Sequence, residues 1–100
     1  MKEEDIVQWI ENWFLSQCNG DWEHSEGIRI ETLDNPGWHI RINLEGTNLQ
    51  EIEYNSGLIE KNENDWYCIT VKDGIYEANG DPNKLNYLLN NFMNFVLKNK

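Results

Sequence analysis

The sequence is poor in cysteine, in basic residues and in long apolar runs, and each shortage excludes a class of protein. Its two cysteines, Cys18 and Cys68, lie far apart and form no Cys-x-x-Cys pair, which argues against a disulfide scaffold and against a zinc site. No apolar run approaches the roughly 20 residues that span a bilayer, and the opening residues MKEEDIVQW lack the apolar core of a signal peptide. We therefore expect a cytoplasmic protein with reduced thiols and no membrane partner.

The few basic residues leave a large acidic surplus. Eight Lys and Arg face eighteen Asp and Glu, a formal net charge of −10. Such a field repels nucleic acid and attracts basic partners at raised association rates, and no basic stripe is present to bind phosphates. We therefore exclude nucleic acid as a partner. An acidic surface that serves only solubility, and an acidic mimic of DNA, remain alternatives on charge alone.

The first helix is predicted from apolar spacing between Glu4 and Cys18, within a chain long enough for one domain over residues 1–100. Gln17 intrudes on the apolar face and Leu15 lies outside it. Asn19-Gly20 ends the helix, because Gly accepts the left-handed conformation. The apolar residues recur at about 100° per residue, as on one face of a helix. The residues of this face are Ile6, Val7, Trp9, Ile10, Trp13, Phe14 and Cys18.

Two runs after this helix, GIRIETL and WHIRINLEG, predict a β-hairpin. The second alternates with period two, as in a strand with one buried and one wet face. Asn35-Pro36-Gly37 suits the turn, with Pro setting φ and Gly37 expected at positive φ. The buried set is Trp38, Ile40, Ile42 and Leu44, and the wet set is His39, Arg41, Asn43 and Glu45.

Further strands and a second helix complete the predicted fold. A weaker strand is expected around LQEIEYNSG, followed by DWYCITV and by GIYEANG after a turn at Asp73-Gly74. Asp81 is expected as the N-cap of the last helix and Pro82 at its first position. The order predicts a two-layer α+β protein: an N-terminal helix, a four- or five-stranded antiparallel meander and a C-terminal helix. The second helix has the apolar stripe Leu85, Leu88, Leu89, Phe92, Met93, Phe95 and Val96.

The stretch CNGDWEH, Cys18 to His24, holds side chains that bind metals or move protons. A zinc site is one interpretation, but Cys18 ends an apolar helix face and no second cluster supplies further ligands. A thiol enzyme, pairing Cys18 with His24 or Cys68 with His39, is the alternative function, although neither pair carries a local catalytic signature. We predict no catalytic residue, no metal and no cofactor.

The same stretch also reads as a corner between helix and sheet. Asp21 is expected to accept backbone N–H bonds there, and Trp22 to fold beneath the turn beside Trp9 and Trp13. Glu23 and His24 would face outward or bond the hairpin. The polar groups predict a partner-binding surface at the corner and on the wet face of the second hairpin strand: Asp21, Glu23, His24, His39, Arg41 and Glu45.

The run from Trp13 to Thr47, together with NDWYCITVKDGIYEANGDPNKLNYLLNNF, closely resembles the immunity protein 53 family. The pattern Cys-x-Gly-Asp-Trp-Glu-His followed by Thr-Leu-Asp-Asn-Pro-Gly-Trp carries the resemblance. Its structural motif residues are Cys18, Gly20, Trp22, Asp34, Asn35, Pro36, Gly37 and Trp38, and Asp21, Glu23, His24, Thr32, Leu33, Trp66 and Cys68 also match.

The resemblance implies a role rather than a reaction. Immunity proteins of bacterial polymorphic toxin systems are antidotes that bind a cognate toxin domain tightly and stoichiometrically. It implies that this chain is not an enzyme and that its partner is a toxin. Many such toxins have basic substrate clefts, to which an inhibitor with a net charge of −10 would be steered.

Overall fold

The computed structural model describes residues 5–25 and 27–99, which form two helices and a five-stranded antiparallel sheet. The helix α1 begins after the cap Asp5, whose side chain accepts the backbone N–H of Val7 at 3.0 Å. Glu4, the expected start, lies outside the described residues. The elements are α1 (Ile6–Gln17), a 3-10 turn (Trp22–His24), β1 (Ile28–Leu33), β2 (Gly37–Asn43), β3 (Tyr54–Asn62), β4 (Asp65–Lys72), β5 (Ile75–Gly80) and α2 (Leu85–Lys98).

The predicted α+β class is confirmed, but the strands are not arranged as a simple meander. Their spatial order is β1-β2-β5-β4-β3, so the chain crosses from β2 to the far edge before β3, β4 and β5 return. Burial explains this order. Every second residue of β5 is buried, whereas all but one residue of β3 is exposed, so β5 takes the centre and β3 takes an edge.

The third strand begins later than predicted. Leu49 and Ile52 lie in a turn-rich segment between β2 and β3 rather than in a strand. The backbone N–H of Thr47 bonds the carbonyl of Leu44 at 3.0 Å, and that of Ile52 bonds the carbonyl of Leu49 at 3.2 Å. These turns bury Leu44 and Leu49, which explains why the alternation there is imperfect.

The hydrophobic core lies between the two helices and one face of the sheet. Phe92 of α2 is fully buried, and its ring centroid lies 4.9 Å from those of Trp13 and Tyr76. Trp22 joins this cluster as predicted, with its ring edge-on to Trp13 at 5.7 Å. From the sheet, the buried apolar residues are Ile40, Ile42, Ile69, Val71, Tyr76 and Ala78.

The turns confirm one glycine prediction and correct another. Gly20 takes the expected positive φ, 97°, but in the turn after α1, because the helix already ends at Gln17 with Cys18 in an extended conformation. Gly37, however, does not adopt positive φ; it belongs to β2, where a Cβ would collide with the carbonyl oxygen of Gly80. Glycine is required at position 37 because the two backbones approach closely.

Asp81 does not cap α2 as predicted. It directly follows β5, whereas α2 begins at Leu85 with Lys84 as its N-cap. The Asp81 carboxylate is fully buried and accepts the backbone N–H groups of Trp66 at 2.9 Å and Asn83 at 2.8 Å. Lys84 Nζ donates to Asp81 at 2.8 Å and to Asp65 at 2.7 Å. Asp81 thus ties β4 to the turn before α2, because its carboxylate is held by groups from both.

Replacing Trp22 by alanine is expected to lower the free energy of unfolding by about 3 kcal/mol or more, because it removes a buried ring and leaves a cavity. Urea denaturation measures the loss. Leu15→Ala on α1 is the matched control, since Leu15 is 71% exposed and its truncation should change stability by less than about 0.5 kcal/mol. Equal effects of the two substitutions would show that Trp22 does not fill the core.

Asp81→Asn is expected to cost about 2 kcal/mol at neutral pH, because three charge-assisted hydrogen bonds lose their charge. Burial raises the pKa of Asp81, but hydrogen bonds from Lys84, Trp66 and Asn83 outweigh it and hold the pKa below its ordinary 3.8. The stabilisation is therefore complete above about pH 4 and is lost as the pH falls through the lower folded-state pKa.

Urea unfolding at pH 7 and at about pH 3 checks this pH dependence. The difference in free energy of unfolding between the parent chain and Asp81→Asn should be smaller at acid pH. Glu63→Gln, at an exposed position in the turn between β3 and β4, is the control for charge removal alone. A gap that stays constant or widens on acidification would contradict the assigned role of Asp81.

Candidate functional site

The sheet has one face that neither helix covers within the part of the chain that the structure describes. Both helices pack on the face that carries Tyr76 and Ala78, as the contacts of Phe92 show. Side chains alternate across a strand, so the register assigns the other residues to the opposite face. We call this surface the open face; apart from the buried Asn43, it comprises Arg29, Glu31, Leu33, His39, Arg41, Asn55, Leu58, Glu60, Trp66, Cys68, Thr70, Lys72, Ile75, Glu77 and Asn79.

A charged network crosses three strands of the open face. His39 Nε2 lies 2.8 Å from Glu77 on β5, and His39 Nδ1 lies 3.8 Å from Glu31 on β1. Arg29 donates to Glu31 at 3.0 Å, and Arg41 lies directly opposite Glu77 in the register. The network pairs charges of both signs, so the acidic surplus of the chain does not originate here.

A shallow cleft of about 560 Å³ runs beside this network. Four strands contribute to it, since Arg41, Asn55, Thr70 and Glu77 belong to β2, β3, β4 and β5. Its remaining lining residues are Lys72, Asp73 and Ile75. Six of these seven residues are polar or charged, which suits contact with side chains of another protein better than enclosure of an apolar ligand.

Trp66 marks the opposite end of the open face. It is half-buried and lines a second cleft of about 380 Å³ with Asn35, Leu58, Glu60 and Glu63. Half-buried tryptophans are typical anchors of protein interfaces. The sequence prediction missed Trp66, Cys68 and Thr70 as surface residues, although in DWYCITV they alternate with the core residues Ile69 and Val71.

The corner after α1 is built differently from the prediction, which assigned its backbone bonds to Asp21. Asn19 Oδ1 accepts the N–H groups of Asp21 at 2.9 Å and Trp22 at 3.0 Å. Glu23 turns back and accepts the N–H groups of Asn19 at 3.0 Å and Gly20 at 2.9 Å. Asn19 takes this role because its short side chain reaches the next two free N–H groups, as in an N-cap.

The carboxyl pKa of Glu23 is accordingly lower than its ordinary 4.5. A hydrogen bond from its own backbone N–H lowers the pKa, burial opposes this, and the N–H groups of Asn19 and Gly20 lower it further. Glu23 therefore stays ionised and stabilises the corner. By contrast Asp21 is exposed, and the His24 side chain is 78% exposed.

Hydrogen bonds fasten the corner to the end of β2. Trp22 Nε1 donates to the carbonyl of Asn43 at 3.0 Å, and Asn43 Nδ2 donates to the carbonyl of Ser25 at 3.2 Å. His39 lies four residues before Asn43 on β2, about 13 Å away at the rise of a strand. The structure thus places His39 and Arg41 together on the open face, and the corner residues at one end of the sheet.

Glu45 belongs to an acidic group at that same end. It follows β2 in the segment that leads to β3, beside the turn between β4 and β5, where the N–H of Leu44 bonds the carbonyl of Gly74 at 2.8 Å. We call this group the acidic end; its members are exposed and comprise Glu45, Glu51, Glu53 and Asp73. Lys72 is exposed and lines clefts with Glu53 and with Asp73, so four carboxylates and one ammonium group leave this border of the open face with a net negative charge.

Cys68 lies apart from His39, and the Cys18 thiol bonds the backbone of α1. Cys18 Sγ donates to the carbonyl of Phe14 at 3.3 Å, within its own helix. Cys68 and His39 flank Asn79 on β5, which separates their backbones by about 10 Å. Over residues 5–25 and 27–99, no three His, Cys, Asp or Glu side chains converge to hold a metal ion. The geometry therefore adds no support to the thiol or metal enzyme.

The fold and the open face define a small α+β protein with an exposed sheet surface suited to a macromolecular partner. The chain belongs to the immunity protein 53 family, whose model matches residues 7–96 of the 100-residue chain. Membership confirms the resemblance and implies an immunity protein whose partner is a toxin. No curated protein and no solved structure matches the chain. Within the described ranges, no helix is long and apolar enough to span a membrane.

Glu23→Gln is expected to lower the melting temperature, because the amide replaces one of two oxygens that accept backbone N–H groups. The loss should be fully present above about pH 4.5 and should shrink as the pH falls from there through the lowered folded-state pKa of Glu23. Asp21→Asn removes the same charge from the same turn and should leave the melting temperature unchanged. Thermal unfolding followed by circular dichroism measures the melting temperatures of both variants. If Glu23→Gln melts at the same temperature as Asp21→Asn, a scaffold role for Glu23 is contradicted.

Proposed function

We propose that this chain is a cytoplasmic bacterial immunity protein that neutralises a cognate toxin domain by stoichiometric binding and has no catalytic activity of its own. The match to the immunity protein 53 family over residues 7–96 carries the proposal. We further propose that the partner is basic and that the inhibitor covers its substrate cleft. The net charge of −10 supports this, because it accelerates encounter with a positively charged partner.

The open face and the adjoining acidic end are the proposed contact surface. The open face is supported by its lack of a covering helix among the described residues, by the half-buried Trp66 and by the cleft beside Thr70. The acidic end would contact the rim of a basic cleft, where carboxylates act mainly on the association rate. Desolvated side chains nearer the centre would supply most of the affinity.

The six predicted contact residues take different places in this proposal. His39 and Arg41 lie on the open face, and Glu45 lies at the acidic end. Asp21 and His24 are exposed at the corner, beside the same end of the sheet. Glu23 is already engaged with the N–H groups of Asn19 and Gly20, so its primary role is to hold the corner.

Thr70→Arg is expected to weaken binding to the toxin domain encoded beside this chain by at least about tenfold, because it places bulk and a positive charge in the centre of the open face. Glu45→Lys should instead reduce the association rate by roughly threefold or more, with a smaller effect at high salt. Surface plasmon resonance with the purified toxin domain measures both constants.

Matched controls separate the contact surface from net charge. Asn12→Arg and Glu11→Lys make the same charge changes at exposed positions of α1, on the covered side of the sheet. If Glu11→Lys slows association as much as Glu45→Lys, only the overall charge matters. No binding of the parent chain at micromolar concentration would refute the proposed function, and equally strong binding to unrelated basic proteins would indicate a general acidic decoy.

A further inference from the structure

The strand β1 is a regular edge of the sheet, and no strand among the described residues pairs with its outer side. Its six residues pair with β2 without a register shift, and four of them are exposed. The other edge, β3, is interrupted by two register shifts, and Gly57 takes φ 70° within it. Bulges of this kind prevent edge strands from pairing with other chains. β1 lacks this protection and is therefore the edge that can accept another strand.

The hydrogen bonding of β1 shows which backbone groups are available. The N–H of Asn43 bonds the carbonyl of Gly27 at 2.9 Å, and the register places these residues directly opposite each other. Hydrogen-bonded and non-hydrogen-bonded pairs alternate along an antiparallel ladder. Arg29 and Glu31 therefore direct their backbone groups toward β2, whereas Ile28, Ile30 and Thr32 direct theirs away from the sheet.

The side chains of β1 are complementary to a second copy of β1. In an antiparallel pair centred on Ile30, that residue lies opposite its own copy and forms a hydrogen-bonded pair. Arg29 of each strand then lies opposite Glu31 of the other, on the open face, in the closer non-hydrogen-bonded arrangement. A two-fold axis repeats this ion pair, so two opposite-charge contacts form around an apolar centre.

The helix side of this edge also has apolar surface to bury. Ile30 is 43% exposed, although the residue paired with it on β2, Ile40, is fully buried in the core. Phe14 of α1 is 38% exposed and lies 3.5 Å from where a Cβ of Gly27, just before β1, would stand. Val7, seven residues earlier on the same helix face, is 58% exposed.

We propose that two copies of the chain associate through β1, forming an antiparallel β1–β1 ladder centred on Ile30 that joins their sheets into one. The occupant of this edge is a second copy because the register that pairs Ile30 with itself also pairs Arg29 with Glu31 on both sides. The joined sheets present their two open faces side by side. This association requires no toxin, and its test uses the chain alone.

Sedimentation equilibrium of the purified chain over a concentration series, in about 0.15 M salt to screen the net charge, tests the proposal. The expected result is a shift from the 11.9 kDa monomer to twice that mass as concentration rises. Hydrogen exchange on the same samples should show that the backbone amides of Ile28, Ile30 and Thr32 become protected with concentration. A monomer at all concentrations up to about millimolar, or unprotected β1 amides in a dimer, would overturn it.

Charge exchange tests the register. Arg29→Glu and Glu31→Arg should each weaken self-association by about tenfold or more, because both two-fold-related pairs become repulsive. The double variant Arg29→Glu/Glu31→Arg should restore it. Lys61→Glu, at an exposed position of β3, makes the same charge change as Arg29→Glu and should have little effect. Failure of the double variant to recover association while its circular dichroism spectrum is unchanged would refute the pairing centred on Ile30.

Discussion

The packing of Phe92 holds the two layers of this protein together. Its ring is fully buried and contacts Trp13 of α1 and Tyr76 of β5, each at 4.9 Å between centroids, so one side chain links both helices to the central strand. Aromatic rings bury large areas and prefer edge-to-face contacts of this kind. Because both helices must reach this cluster, both lie on the same face of the sheet.

This arrangement decides which face of the sheet is exposed. With both helices on one side, the opposite sheet face stays exposed in the described structure, and its polar side chains pair laterally, as His39 does with Glu77 at 2.8 Å. Antiparallel sheets tolerate such a wet face. Buried side chains fix both ends of the open face. The Asp81 carboxylate accepts the backbone N–H of Trp66 at the start of β4, and Trp22 Nε1 donates to the carbonyl of Asn43 at the end of β2. The open face is therefore a firmly supported surface, which suits the binding role proposed for it.

The sequence predicted features that depend on neighbouring residues and missed those that depend on distant ones. The first helix, the positive φ of Gly20 and the burial of Trp22 follow from local spacing and turn chemistry, and all are confirmed, although the helix ends at Gln17, before Asn19-Gly20. Asp81 was misassigned as a helix cap, because its N–H donors include Trp66, fifteen positions earlier in the chain. Gly37 was expected to serve a turn, whereas its need for glycine comes from the backbone of Gly80.

The α+β class, the two amphipathic helices, the acidic charge and, through the pattern around Trp22 and Trp38, the family could all be predicted from the amino-acid sequence. Periodicity and composition are properties of the chain, so they can be read without the fold. Only the tertiary structure decided the strand order, the position of β3 at an edge and the grouping of His39, Thr70 and Trp66 on one surface. Strand order depends on which strands bury most apolar area together, a choice made between distant segments that no local pattern encodes.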